Sequence, residues 1–176
     1  MQSSIELEKQ AAAQVAALMA AAARTAPKTR GVDNIRVLAI DDEPTKQELI
    51  AKMREIAARE NRPGMARDAG NIENAPALLV IGVEANTSGL NCGFCGKPTC
   101  EELENTGGIC SFNSIDLGIA TCSAAEVAGR NHIDNRVMYS IGRASLELKL
   151  FGEKVRQALG IPLSVTGKNL FFDRKP

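Results

Sequence analysis

Four of the five cysteines lie close together in the middle of the chain, and they constrain its fold more than any other sequence feature. They are Cys92, Cys95, Cys100 and Cys110, in the spacing C-x2-C-x4-C-x9-C. Two thiolates separated by two residues can bind one metal, or two corners of one cluster, when the backbone between them turns tightly. Gly93 and Gly96 permit that turn. We therefore predict that residues 86–111 form an inserted metal-binding loop.

Three kinds of site use cysteines in similar patterns. A [4Fe–4S] cluster requires four thiolates, one for each iron. A structural zinc site takes the same four ligands, but zinc ribbons usually present two C-x2-C pairs, whereas nine residues separate Cys100 from Cys110. A thioredoxin-like pair would begin a helix directly after a strand, and Pro98 and the glycines interrupt this loop. The pattern favours iron–sulfur binding, while zinc and redox thiols stay open as alternatives.

Either Cys110 or Cys122 can provide the fourth thiolate if only the number of cysteines is considered. Gly107 and Gly108 allow the chain before Cys110 to fold back towards the first three sulfurs. A helix predicted from Ser111 would also present its positive end to that thiolate. Cys122 is instead predicted to be a small buried side chain in the apolar stripe of that helix, formed by Phe112, Ile115, Ile119 and Cys122.

Charge and composition exclude several classes of function. Basic and acidic residues balance at 21 each, and aromatic residues make up 3% without any Trp, so a nucleic-acid surface is not predicted. No segment reaches the roughly 18 apolar residues that span a bilayer, and no basic region precedes the alanine-rich segment 11–23 as it would in a signal peptide. We expect a cytoplasmic protein with reduced thiols, no membrane partner and no nucleic-acid partner.

Hydrophobic periodicity predicts a single α/β domain over residues 1–176. The segment 77–83 is apolar on both faces, which is typical of a central strand. Helices are predicted at 4–24, 44–60, 111–128 and 134–159, strands at 35–40, 77–83, 161–165 and 170–172, and a loop at 61–74. This order indicates a layered α/β or α+β domain that carries the cysteine loop as an insert.

Residues 91–100 and 134–142 resemble a family of ferredoxin-domain proteins of unknown function. The resemblance extends over nearly the whole chain. It implies iron–sulfur binding, with Cys92, Cys95, Cys100 and Cys110 as the ligands.

The scaffold outside the cysteine loop is similar to that of nitroreductase-type flavoproteins. The similar segments are 22–27, 114–122 and 158–162. This resemblance implies a nitroreductase-like fold, bound FMN and a homodimer. The basic N-terminal motif that holds the FMN phosphate in those proteins is missing, because no Arg precedes Arg24, and Lys28 stands where a small hydroxyl residue is usual. We therefore expect flavin to bind weakly or not at all.

The sequence predicts a protein that binds one [4Fe–4S] cluster and acts in electron transfer or as a redox subunit of an unspecified partner protein. The first alternative is an oxidoreductase of nitroreductase type that uses FMN and the cluster together. The second alternative is a structural zinc protein. The alanine-rich helix at 4–24 carries no charge over about four turns, so we also predict a homodimer.

Overall fold

A computed structural model describes residues 1–172, in which a four-stranded antiparallel sheet lies between two layers of helices. The helices are α1 (Ser4–Thr25), α2 (Glu43–Arg59), α3 (Pro63–Ile72), α4 (Cys100–Asn105), α5 (Ser111–Arg130) and α6 (Tyr139–Glu147). The strands are β1 (Ile35–Ile40), β2 (Ala77–Glu84), β3 (Asp134–Asn135) and β4 (Val155–Ser164), in the order β1-β2-β4-β3. A short 3-10 turn, Thr29–Gly31, precedes β1.

Strand β2 is central in the sheet, and its two faces contribute to two separate cores. Successive side chains point to opposite sides of a strand, so Leu79 and Ile81 pack against α1 and α5. Leu78 and Val80 belong to the second core, which contains residues of α2, α3 and α6. The prediction of a central strand at 77–83 is confirmed, and so is the mixed α/β class.

Glycines at two facing positions allow α6 to lie directly on β4. A Cβ atom at Gly142 would approach the Ala158 carbonyl oxygen to 1.8 Å, and one at Gly160 would approach the Ile141 side chain to 2.2 Å. The absence of both Cβ atoms therefore permits a close approach of helix and strand. Gly160 also exchanges two backbone hydrogen bonds with Met138, of 2.8 and 3.0 Å, at the edge of the sheet.

The predicted loop at 61–74 is wrong, because most of it forms α3. Pro63 stands at the start of this helix, where the missing N–H costs nothing. Met65, Ala69 and Ile72 then follow at the spacing of one helical face and are buried in the second core. The proline and glycines of this segment read as loop residues in the sequence, yet they begin a helix that tertiary packing completes.

The predicted helix at 134–159 is also wrong. This segment forms β3, α6 and the first half of β4, and the strand predicted at 161–165 is the end of that same β4. Ala158 and Leu159 favour helices locally, but pairing with the central strand β2 overrides that preference. Residues 170–172 do not form the predicted strand: the Asn169 side chain accepts hydrogen bonds from the backbone N–H groups of Phe171 and Phe172.

Helix α1 begins where the sequence predicts the first helix. Ser3 and Glu6 form a capping box at the start of α1, with the Ser3 backbone N–H donating to Glu6 at 2.7 Å.

No helix among residues 1–172 is both long and apolar enough to cross a membrane.

An ion pair between α2 and α6 gives the fold a pH-dependent contact. The two guanidinium nitrogens of Arg59 donate to Glu147 at 2.7 and 3.1 Å, and Arg143 also pairs with this carboxylate. These groups, Arg59 first, lower the pKa of Glu147 from 4.5 to about 2. Because the folded-state pKa lies below the unfolded value, the stabilisation is complete at neutral pH and is lost as the pH falls towards 2.

We predict that Glu147→Gln lowers the free energy of unfolding at pH 7 by about 1 kcal/mol, as expected for a partly exposed pair. The difference from the wild type should shrink as the pH falls from about 5 towards 2. Urea unfolding of the wild type and the variant at several pH values measures this difference in the free energy of unfolding. Glu48→Gln is the matched control, because Glu48 is exposed on α2 and makes no ion pair within residues 1–172. An equal loss at pH 7 and at low pH would contradict the assignment.

Candidate metal centre

The segment between β2 and α5 brings four cysteines to the lining of one small cavity. Cys92 is exposed, Cys95 and Cys100 are partly buried, and Cys110 is 6% exposed. Cys122 does not line this cavity. It lies exposed further along α5, in a separate groove beside α1.

A tight turn joins the first two cysteines, which both line the cavity. Gly93 and Gly96 both adopt positive φ angles, of 72° and 81°, which are open to glycine at little cost. The Gly96 backbone N–H donates to the Gly93 carbonyl at 2.9 Å and closes the turn. The backbone thus curls around Cys95, as the glycine positions predicted.

Asn91 clamps the third cysteine through two hydrogen bonds. Its backbone N–H donates to the Cys100 sulfur at 3.4 Å, and its side-chain oxygen accepts from the Cys100 backbone N–H at 2.8 Å. Asn91 has a φ of 48°, a left-handed conformation that Asn tolerates better than most residues. The pair holds the Cys100 sulfur at the cavity and begins α4.

Cys110 occupies the N-cap position of α5. Burial raises the pKa of its thiol, but the neighbouring Ser88 and the nearby backbone N–H groups of Phe112 and Asn113 more than offset this, so the pKa lies below the ordinary cysteine value. The positive end of the helix dipole also favours a thiolate at this position. The site therefore favours the form of Cys110 that binds metal.

Three asparagines fix the two ends of the cysteine loop to each other. The Asn113 side chain, buried in the first turn of α5, donates to the carbonyls of Glu84 at 3.0 Å and Asn86 at 2.6 Å. Asn34 joins them, donating to Asn113 at 3.4 Å and accepting from Asn86 at 3.0 Å. The end of β2 and the start of α5 are thereby held together while the loop between them encloses the cavity.

The turn before β1 provides a second support for the loop. The Thr29 backbone N–H and hydroxyl donate to the buried Asp116 carboxylate on α5, at 3.1 and 3.0 Å. The next residue, Arg30, donates to the Ser88 carbonyl at 2.6 Å. Through these contacts α5 positions the segment that lies next to Cys110.

The mouth of the cavity carries exposed aromatic and apolar groups. Phe94, which is 62% exposed, and Phe112 lie with their ring centroids 5.4 Å apart. The predicted buried stripe of α5 is wrong: Ile115, Ile119 and Cys122 are exposed. Both sides of α5 are apolar, and the side that meets the sheet and α1 is the one lined by Leu117, Ala120, Ala124 and Ala128.

The basic residues that could have held a phosphate near the end of α1 have partners within the chain. Arg24 pairs with Asp33 and donates to the Ile35 carbonyl. The Lys28 ammonium donates to backbone carbonyls at the end of α1, including that of Ala26 at 2.8 Å. These two cations thus act as helix-end and turn contacts.

The four sulfurs share a cavity without meeting at one point. Within residues 1–172, no three His, Cys, Asp or Glu side chains lie close enough together to hold one metal ion. Tetrahedral zinc with Zn–S bonds of about 2.3 Å would place its sulfurs roughly 3.8 Å apart. The side chains of the described residues are thus not arranged as a preformed tetrahedral zinc site.

The cysteines are evident in the sequence, but the groups that position them are not. Ser88, Asn113 and Asp116 are isolated polar residues with no motif, and their partners lie up to 87 residues away in the chain. Asn113 and Asp116 lie on the buried side of α5, which the sequence does not distinguish from its other apolar side.

Comparison with known proteins places the chain in a family. Residues 106–174 match the family described as "Uncharacterized protein containing a ferredoxin domain" (DUF2148), a range that includes Cys110 and begins after the other three cavity cysteines. An uncharacterised protein of Archaeoglobus fulgidus is 39% identical over 170 residues, covering 92% of this chain and 90% of the relative. The chain belongs to this family. The resemblance found in the sequence is confirmed.

Solved structures show that the fold is nitroreductase-like. A nitroreductase with bound FMN from Desulfitobacterium hafniense superposes with a TM-score of 0.63 at 18% identity, covering 88% of this chain and 78% of that one. A BluB-like flavoprotein from Clostridium difficile gives 0.60 at 18% identity, covering 93% and 84%. The prediction of a nitroreductase-like fold is therefore confirmed for this chain.

Proposed function

We propose that this protein binds one [4Fe–4S] cluster through Cys92, Cys95, Cys100 and Cys110 and transfers electrons to or from a partner protein. The observation that carries the proposal is the convergence of these four thiols on one cavity. Membership of a ferredoxin-domain family supports it independently.

The donor set fits a cluster better than a single ion. All four candidate ligands are thiols, the ligands that iron–sulfur clusters use. A cubane binds each thiolate at a different iron, so its four sulfurs stand further apart than the ligands of one zinc ion.

The surrounding residues prepare the cavity for a negatively charged group. Asn91 donates a backbone N–H to the Cys100 sulfur, and Cys110 stands at the N-terminus of α5, where the helix dipole favours negative charge. Leu103 and Phe112 add apolar side chains to the cavity lining. When bound, such a cluster supplies a one-electron redox couple.

The exposed side of the cavity suits electron exchange with a second protein. Cys92 and Phe94 face solvent at its mouth, so a partner can approach the site directly. Glu101 and Glu102, exposed in the first turn of α4, add negative charge beside it. A basic docking surface on the partner would complement this edge.

A flavin oxidoreductase is the alternative that the fold suggests, since similar structures bind FMN. Arg24 and Lys28 argue against it, because both cations already have partners in the chain and a phosphate would have to displace them. We therefore propose that the protein retains little or no FMN.

We predict that protein purified without oxygen is brown and contains about four irons per chain, because each thiolate of a [4Fe–4S] cluster binds one iron. Metal analysis and a visible spectrum of the same sample measure it. One zinc per chain in a colourless sample would contradict the proposal and favour a structural zinc site. Stoichiometric FMN in that spectrum would contradict the expectation of weak flavin binding.

We predict that Cys110→Ser loses the cluster or degrades it, because Cys110 is the cysteine at the inner, buried side of the cavity. Cys122→Ser is the matched control and should retain the iron content of the wild type, because Cys122 lies outside the cavity. Iron counted per folded chain distinguishes the two. Iron loss from the Cys122 variant alone would reverse the assignment of the fourth ligand.

We also propose a homodimer formed through α1. Its outer side is apolar and exposed, at Ala13, Ala17, Leu18 and Ala21. Light scattering at micromolar concentration should return a dimer mass, and Leu18→Glu should shift it towards the monomer because it places a charge on that side. Val32→Glu, a matched change of an exposed apolar residue outside α1, should leave the mass unchanged. A monomer mass for the wild type would contradict the proposal.

A further inference from the structure

The Ser88 hydroxyl is the side-chain group in contact with the most buried cavity thiol. Its oxygen lies 3.7 Å from the Cys110 sulfur. Cys110 is 6% exposed, whereas Cys92 faces solvent, so this contact lies on the side of the cavity that water reaches least. Hydrogen bonds to sulfur are stronger where water does not compete for the same atoms.

The direction of this hydrogen bond is decided once Cys110 binds a metal. With a neutral thiol, either the oxygen or the sulfur can donate. A thiolate ligand has no proton, so the Ser88 hydroxyl must then be the donor. Such a bond is charge-assisted and stabilises negative charge on the sulfur.

Ser88 is held at this position by its backbone as well. Arg30 donates to the Ser88 carbonyl at 2.6 Å, and the neighbouring Thr29 is bound to Asp116 on α5. Cys110 is the N-cap residue of that same helix. The hydroxyl and the thiol are therefore both positioned by α5, and the contact does not depend on a free loop.

We propose that Ser88 is a positioning and tuning residue that raises the reduction potential of the cluster through its hydrogen bond to Cys110. This inference rests on the proposed function. Reduction adds one electron and hence one negative charge to the cluster. A donor to a ligand sulfur stabilises the reduced form more than the oxidised form, and hydrogen bonds to the sulfurs are among the groups that set these potentials.

The test is an anaerobic redox titration of the full chain, reconstituted with iron and sulfide and reduced with dithionite. Ser88→Ala should keep the iron content of the wild type and shift the midpoint potential to a more negative value. At the wild-type midpoint, where half of the wild-type cluster is reduced, a smaller fraction of the variant should be reduced. Ser88→Thr retains a hydroxyl and should restore the wild-type midpoint.

Ser114→Ala is the matched control, because this serine of α5 lies outside the cysteine cavity and its hydroxyl donates to Gln157 at 2.8 Å. Its midpoint should equal that of the wild type. An unchanged midpoint in Ser88→Ala, a shift of equal size in Ser114→Ala, or loss of iron from Ser88→Ala would overturn the tuning role. A wild-type protein that takes up no iron would overturn the proposed function as well.

Discussion

Strand β2 is apolar along its length, so both of its faces must be buried against helices for the sheet to be stable in water. The helices α1 and α5 cover one face, and α2, α3 and α6 cover the other. Since β2 is buried and α5 packs against it and against α1, the chain that joins them has two fixed ends. The cysteine loop is this connection, and its geometry depends on the packing of the sheet.

Fixed ends alone do not make a site, because a loop of this length has many conformations. The buried asparagines restrict it by joining the end of β2 to the first turn of α5. Asn91 then holds Cys100, and Arg30 holds the segment at Ser88. The cavity is thus supported from the sheet, from α5 and from the turn before β1, which is the preorganisation that a bound cluster requires.

The sequence was most informative where one local signal decided the structure. The apolar run of β2 and the glycines beside Cys95 both predicted what the fold contains. It was misleading where long-range packing decided. The β4 segment has helix-favouring residues that pair with β2, and both sides of α5 are apolar, so periodicity could not select the buried one.

The candidate site also contains residues that the sequence predicts and residues that only tertiary packing brings together. Cysteine spacing predicted which thiols would share a cavity, because these four cysteines lie near one another in the chain. The polar groups that position them could not be predicted, since Asp116 and Thr29 meet only after α1 and α5 have packed. The support that these polar groups give to the cysteine loop is therefore visible only in the tertiary structure.

X-ray absorption at the iron edge of the anaerobically purified protein is the measurement that tests the central claim most directly. We expect each iron to have sulfur neighbours from both thiolate and sulfide, together with iron neighbours at the short distance found within a cluster. Iron with sulfur neighbours and no iron neighbour, or zinc bound by sulfur in place of iron, would contradict the account.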